Sequence, residues 1–213
     1  YGIKKVEYIP LGVDTDIFNP ERRDMSVRQK LGIEDSEIML VYTGRLDSEK
    51  RVNILVEAVK NIPKIIPVRL VLAGDGALRV HLEKTEADNA RIVILPYVSN
   101  KIELATLLAS GDMYVTAGPH ETFGLSVLEA QASGLPVVGV KAGALTERVH
   151  PSFGVLGKPD NSEQFARNIV MLSKSGFREM GAKARAFVSA TYSWERTFQK
   201  LFTHYQALIS SGK

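Results

Sequence analysis

A chain of 213 residues, 45% hydrophobic and 24% charged, is long enough to enclose one sizeable core. No apolar run approaches the ~20 residues that cross a bilayer, and the absence of cysteine excludes disulfides, thiolate metal sites and cysteine nucleophiles together. The 27 basic and 24 acidic residues leave a net charge of +3, and the cations are scattered, so nucleic acid is not an expected partner.

The opening Tyr1-Gly2-Ile3-Lys4 has neither an initiator Met nor the charged-then-apolar order of a leader, which points to a domain belonging to a longer protein. Lack of cysteine suits a reducing, cytoplasmic compartment. Residues 1–36 read as a lead-in or hinge segment. Five continuous apolar runs follow, rich in β-branched residues: Ile38 to Thr43, Val68 to Ala73, Arg91 to Leu95, Met113 to Ala117 and Pro136 to Val140. Runs that do not alternate belong to strands covered on both faces. Between them, Val52, Leu55, Val56 and Val59 fall at helical spacing, as do Leu104, Leu107 and Leu108. Successive strands begin about 20 to 30 residues apart, enough for helical crossovers. Residues 37–160 therefore read as a βαβ core, a Rossmann-like, doubly wound parallel α/β sheet. Residues 161–213 read as three C-terminal helices, Ser162 to Ser173, Phe177 to Ala190 and Trp194 to Ile209, the last capped by Ser193. No repeat divides the chain, which is expected to be a single domain.

Ligands of such a sheet sit beyond the carboxyl ends of its strands. After the first strand, Gly44-Arg45-Leu46-Asp47-Ser48-Glu49-Lys50-Arg51 opens a helix. Arg45 and Lys50 put two cations beside a helix N-terminus that is itself positive, an arrangement that a diphosphate relieves. The alternative is that both side chains simply point into water, and the pattern leaves the two readings even. After the second strand, Gly74-Asp75-Gly76-Ala77-Leu78-Arg79 nearly spells a dinucleotide fingerprint, but Arg79 stands where a small residue is needed and no acidic ribose ligand follows. A tight turn is expected there, not a nicotinamide site.

After the fourth strand comes Gly118-Pro119-His120-Glu121-Thr122-Phe123-Gly124-Leu125-Ser126-Val127-Leu128-Glu129-Ala130. A helix starting near Phe123 would aim backbone N–H groups of Phe123, Gly124 and Leu125 at a phosphate. Glu121 and Glu129 can accept bonds from vicinal hydroxyls. Equally, Glu121 can cap the helix, Glu129 can be a solvated helix residue, and His120 can be a plain turn histidine.

These pieces together resemble the family 4 (group 1) retaining nucleotide-sugar glycosyltransferases of GT-B fold, specifically their C-terminal, donor-binding domain. Supporting segments run in order: Ile9-Pro10-Leu11-Gly12-Val13-Asp14 with Phe18, Ala73-Gly74-Asp75-Gly76, Ala132-Ser133-Gly134-Leu135-Pro136-Val137-Val138, and Gly143 with Glu147. The resemblance implies that Arg45 and Lys50, beside Gly44, hold and neutralise the donor diphosphate. It further implies that Glu129 takes the ribose hydroxyls, Glu121 the hydroxyls of the transferred hexose, the Phe123–Leu125 backbone phosphate and sugar, and Val98 the base through its main chain. The implied reaction moves a hexose from GDP-mannose or a UDP-sugar to an acceptor hydroxyl. Side chains neutralise the leaving group in place of a metal, and no cofactor is required. The implied partners are the nucleotide-sugar and an N-terminal acceptor domain of the parent chain, with peripheral membrane contact open. A donor half alone is expected to be inactive. The alternatives are a non-catalytic nucleotide-sugar binding module and a sugar-nucleotide epimerase of the same fold. The family more often has Asn at Leu11 and Gly at Arg51 and Thr122; the Glu-Thr-Phe-Gly form resembles GDP-mannose users. Arg51 either adds a cation to the phosphate site or faces solvent. Asp14-Thr15-Asp16 matches a metal-binding D-x-D motif but precedes the first βαβ unit, where an Asx turn is expected.

Overall fold

The computed structural model describes residues 6–211. Six strands, all parallel, form one sheet in the order β3-β2-β1-β4-β5-β6. They are β1 (Ile38–Thr43), β2 (Val68–Ala73), β3 (Ile92–Leu95), β4 (Met113–Val115), β5 (Val137–Val140) and β6 (Gly154–Gly157). β1 pairs with β2 over its full length, from Ile38 opposite Val68 to Thr43 opposite Ala73. Burial follows from position: Met39 to Tyr42 of the central strand are sealed from water on both faces, as a continuous apolar run requires. The expected strands are recovered, with Arg91, Thr116, Ala117 and Pro136 trimmed from their ends.

Helices α1 (Met25–Lys30), α2 (Val52–Asn61), α3 (Arg79–Asp88), α4 (Lys101–Ser110), α5 (Leu125–Ala132), α6 (Leu145–Arg148), α7 (Ser162–Ser173), α8 (Phe177–Thr191) and α9 (Trp194–Ser211) complete the described chain, with a 3-10 turn at Pro20–Arg22. α7 packs on α2, while α8 packs on α5, so the helices after the sheet return to both of its faces. The last helix starts where expected: Ser193 Oγ accepts the Arg196 N–H at 3.4 Å. Val13 bridges Ser193, and Thr197 Oγ1 donates to the Pro10 carbonyl at 3.1 Å, so the lead-in segment lies against the start of α9. Lead-in residues are also held by the buried guanidinium of Arg28 in α1, which meets Asp112 at 2.8 Å just before β4. Among the described residues, no helix is long and apolar enough to cross a membrane.

The order of the strands fixes where a ligand fits. From β1 the chain moves outward through β2 to β3, then crosses back to β4 and continues the other way. β1 and β4 are neighbours whose onward connections diverge, leaving a crevice at their carboxyl ends. The loops after these two strands are residues 44–51 and 116–124.

Candidate functional site

The β1–α2 loop holds its own cations. Lys50 N–H donates to Asp47 Oδ1 at 3.0 Å, closing the turn before α2. Arg45 leans outward and meets Asp47 at 3.0 Å and Glu49 at 2.7 Å. The loop is braced from below by the 74–79 turn: Leu46 N–H donates to the Asp75 carbonyl at 2.8 Å and Leu78 N–H to the Leu46 carbonyl at 2.9 Å. The near-dinucleotide glycines therefore serve the Arg45 loop as a tight turn. Arg51, at φ 53°, adopts the left-handed conformation at the cap of α2, where a side chain is strained and glycine is the natural occupant. Its guanidinium pairs with Asp160 at 2.9 Å, away from the crevice.

Lys50 crosses the crevice. Its ammonium lies 2.9 Å from Glu121 Oε2, with both side chains only 22% exposed. The other oxygen, Oε1, accepts the N–H of Gly124 at 3.1 Å. Gly124 takes φ 82° as the N-cap of α5, a turn that lets the chain reverse from the loop into the helix. In this structure its N–H is taken by Glu121, the capping role also open for that glutamate from sequence. The N–H groups of Phe123 and Leu125 are unengaged among the described residues. The neighbouring crossover steadies this loop: Ala144 N–H donates to the Glu121 carbonyl at 2.8 Å, and Gly143, at φ 52°, lies so close that a Cβ would come 2.5 Å from that carbonyl. Tyr8, Glu121, Thr122, Gly143, Ala144, Glu147 and Arg148 border a cavity of about 420 Å³.

Glu129 sits one turn into α5 and opens on a different cavity, of about 270 Å³, with Thr43, Gly44, Tyr97, Val98, Ser99, Lys101 and Ser126 around it. Among the described residues its carboxyl takes no hydrogen bond. Burial pushes that carboxyl up to about 7, and the nearby Lys101 ammonium opposes the shift only in part. A half-buried carboxyl with unmet lone pairs beside a small polar cavity can accept two hydroxyls of a ligand.

Of the residues singled out from sequence, Gly44, Val98 and Glu129 share one cavity, and Lys50 and Glu121 meet directly. Arg45 lines neither cavity. Phe123 turns its ring inward, with the Arg148 guanidinium 4.8 Å from its centroid, and Leu125 is largely exposed. His120 is exposed in the turn. Asp14 Oδ1 accepts the N–H groups of Asp16 and Ile17 at 3.2 and 3.0 Å, an Asx turn far from the crevice. Sequence reasoning missed Tyr97, Ser99, Lys101 and Ser126. Tyr97 and Lys101 flank Val98, so the loop after β3 held the signal.

Residues 25–194 match the family model described as Glycosyl transferases group 1. The chain is 34% identical, over its full length, to the GDP-mannose-dependent alpha-(1-6)-phosphatidylinositol dimannoside mannosyltransferase of Mycobacterium tuberculosis, and covers 55% of that protein. It superposes on sucrose-phosphate synthase from Thermosynechococcus elongatus with a TM-score of 0.83 at 26% identity, covering 96% of this chain and 53% of that one. Anabaena HepE in complex with UDP-glucose shares the fold, with a TM-score of 0.80 at 23% identity over 92% of this chain and 56% of that one. The chain thus spans about half the length of the relatives it matches.

Proposed function

The chain belongs to the group 1 glycosyl transferases, and from that premise we propose that it is the donor-binding half of a retaining, metal-independent enzyme that moves a hexose from a nucleoside-diphosphate sugar to an acceptor hydroxyl. The observation that carries this reading is the contrast between two glutamates, one in the loop before α5 and one within it. Glu121, paired with Lys50, stands at the crevice, while Glu129 keeps unmet acceptors in a cavity shared with Gly44 and Val98. Glu129 takes the ribose hydroxyls and the main chain at Val98 reads the base. The diphosphate lies across the loop ends, where it takes Lys50 from Glu121 and draws Arg45 from Asp47 and Glu49. Glu121, released, accepts hydroxyls of the hexose.

As the bond between the anomeric carbon and the diphosphate oxygen breaks, negative charge grows on that oxygen. Lys50, Arg45 and the N–H groups of Phe123 and Leu125 stabilise it. The acceptor oxygen bonds to the anomeric carbon on the face the diphosphate leaves, its proton passes to the departing diphosphate, and the configuration is retained. The GDP-mannose dependence of the mycobacterial relative favours GDP-mannose; the UDP-glucose of the Anabaena protein keeps UDP-sugars in view. The acceptor site belongs to a preceding domain of a cytoplasmic parent protein.

The test is calorimetric titration of the 213-residue chain, in excess EDTA, with GDP, UDP and ADP side by side. We expect at least one to bind, undiminished by EDTA, and no sugar transfer by this chain alone. Binding that needs Mg²⁺ or Mn²⁺ would return Asp14-Thr15-Asp16 to consideration as a metal site. Silence with all three nucleotides would end the donor reading.

A further inference from the structure

Arg148, closing α6, has only 2% of its side chain exposed. A guanidinium is that deeply buried only when its N–H groups are engaged. Nε donates to the Phe123 carbonyl at 3.1 Å, Nη1 to the Tyr192 hydroxyl at 2.7 Å and to Glu147 at 3.3 Å, and Nη2 to the Tyr8 hydroxyl at 3.2 Å. Its carbon also lies 4.8 and 4.6 Å from the ring centres of Phe123 and Tyr192. Arg148 thus ties the β4–α5 loop to the end of α8 and to the lead-in segment.

The bond to Phe123 has a consequence one atom group further on. The peptide joining Phe123 to Gly124 is a single rigid plane. Its carbonyl is held by Arg148, and the N–H on its opposite edge donates to Glu121 Oε1 at 3.1 Å. The second oxygen of that carboxylate receives Lys50. Four groups stand in series: guanidinium, peptide plane, carboxylate, ammonium. Each hydrogen bond in such a chain polarises the next. Rotation of the peptide would carry the Gly124 N–H away from Glu121 and let the carboxylate swing on its two methylenes.

We propose that Arg148 is a positioning residue, which sets the orientation of the Glu121 carboxylate by clamping the Phe123–Gly124 peptide. This rests on the donor reading for its functional meaning, since Glu121 is there the acceptor of hexose hydroxyls. Arg148 borders the same cavity as Glu121, but its side chain is 2% exposed and Nε, Nη1 and Nη2 all bond to protein groups, so it acts through the peptide. A lysine in its place keeps the charge but cannot serve the carbonyl and both tyrosine hydroxyls with a planar fork.

Two readouts on the same chain test it. The first needs no ligand: exchange of the Gly124 amide in Arg148→Met should accelerate by about tenfold or more while the melt stays cooperative. The second is the ratio of affinities for GDP-mannose and GDP, and for UDP-glucose and UDP. Arg148→Met should move that ratio by about threefold or more toward the bare nucleotide, Arg148→Lys by less, and Arg148→Met added to Glu121→Gln by nothing further. A merely structural role would weaken both ligands in parallel and leave the ratio alone. Unchanged Gly124 exchange, an unchanged ratio, or an additive shift in the double variant would overturn the proposal. If Arg148→Met does not fold, Tyr192→Phe removes one bond to Nη1 and should act in the same direction more weakly; no effect there overturns it equally. Wild-type chain that binds no nucleoside diphosphate sinks the donor reading instead, and the exchange readout then decides alone whether Arg148 clamps the loop.

Discussion

Glu121 and Glu129 leave the same eight-residue helix and its lead-in turn, yet their surroundings are opposite. Glu121 is fully partnered, by Lys50 at 2.9 Å and the Gly124 N–H at 3.1 Å. Glu129 is held back from water with no hydrogen bond among the described residues and a carboxyl raised to about 7. A protein built for stability alone would satisfy or remove such a carboxyl, because an unpaired buried polar group costs about 1 to 3 kcal/mol. On the donor reading, the contrast means that the two carboxylates approach a ligand differently. One must exchange partners, and the other has only partners to gain.

The largest effect expected from breaking this contrast falls on Glu121. On the donor reading, Glu121→Ala should lower turnover of a full-length parent protein by about 100-fold, while nucleoside diphosphate affinity of the 213-residue chain does not fall and rises as far as Lys50 is released to the diphosphate; transfer assays beside calorimetry check both halves. Glu129→Ala comes next. It should weaken free nucleotide and nucleotide-sugar alike by about 1 to 3 kcal/mol, with folding retained. Equal nucleotide affinity in wild type and folded Glu129→Ala would remove the ribose assignment.

A pH titration sharpens the contrast further. The Glu129 carboxyl is raised to about 7 in the folded chain, against an ordinary value of about 4.3. Between those values the folded chain keeps a proton that the unfolded chain has released, so this group's stabilisation is full at low pH and is lost as pH rises through about 7. The thermal midpoint should therefore fall between about pH 5 and pH 8, and Glu129→Gln should flatten that slope. Ribose hydroxyls favour the ionised carboxylate, so nucleotide binding should release a proton and strengthen over the same window, less so in Glu129→Gln. The smallest effect expected is at Glu49, which neutralises Arg45 at 2.7 Å in an exposed pair. Glu49→Gln should tighten nucleoside diphosphate binding by about two- to threefold, the scale of a surface ion pair; no change would mean that Arg45 stays outside the diphosphate site.

The core strands were legible because residues sealed on both faces must be continuously apolar, as Met39 to Tyr42 are. β6 was missed for the converse reason. Gly154-Val155-Leu156-Gly157 is four residues long, bounded by glycines, and paired among the described residues with β5 alone. α3 buries only Leu82, so its sequence carries hardly any apolar stripe. The site's acids and bases were legible from the loops that follow β1 and β4, but their present bonding was not, since Asp47, Glu49 and Gly124 compete as partners only once folded. Arg51 shows how a family departure becomes physical: the position is left-handed, which explains why glycine is usual there, and the side chain pairs with Asp160. Arg28 and Arg148 defeated pattern reading altogether, because a charged residue is expected outside and both are sealed within.

The start of α9 carries an optical consequence. Trp194 is the single tryptophan of the sequence. Its indole lies so close over Gly12 that an added Cβ would come 2.6 Å from the ring, while 37% of the residue remains open to water and Phe198 stacks on it at 5.4 Å. Excited beyond the tyrosine absorption band, fluorescence from this chain therefore has one emitter, seated where the lead-in segment meets the last helix. Its emission maximum reports whether those two segments stay together, with no label added and with the crevice between β1 and β4 untouched.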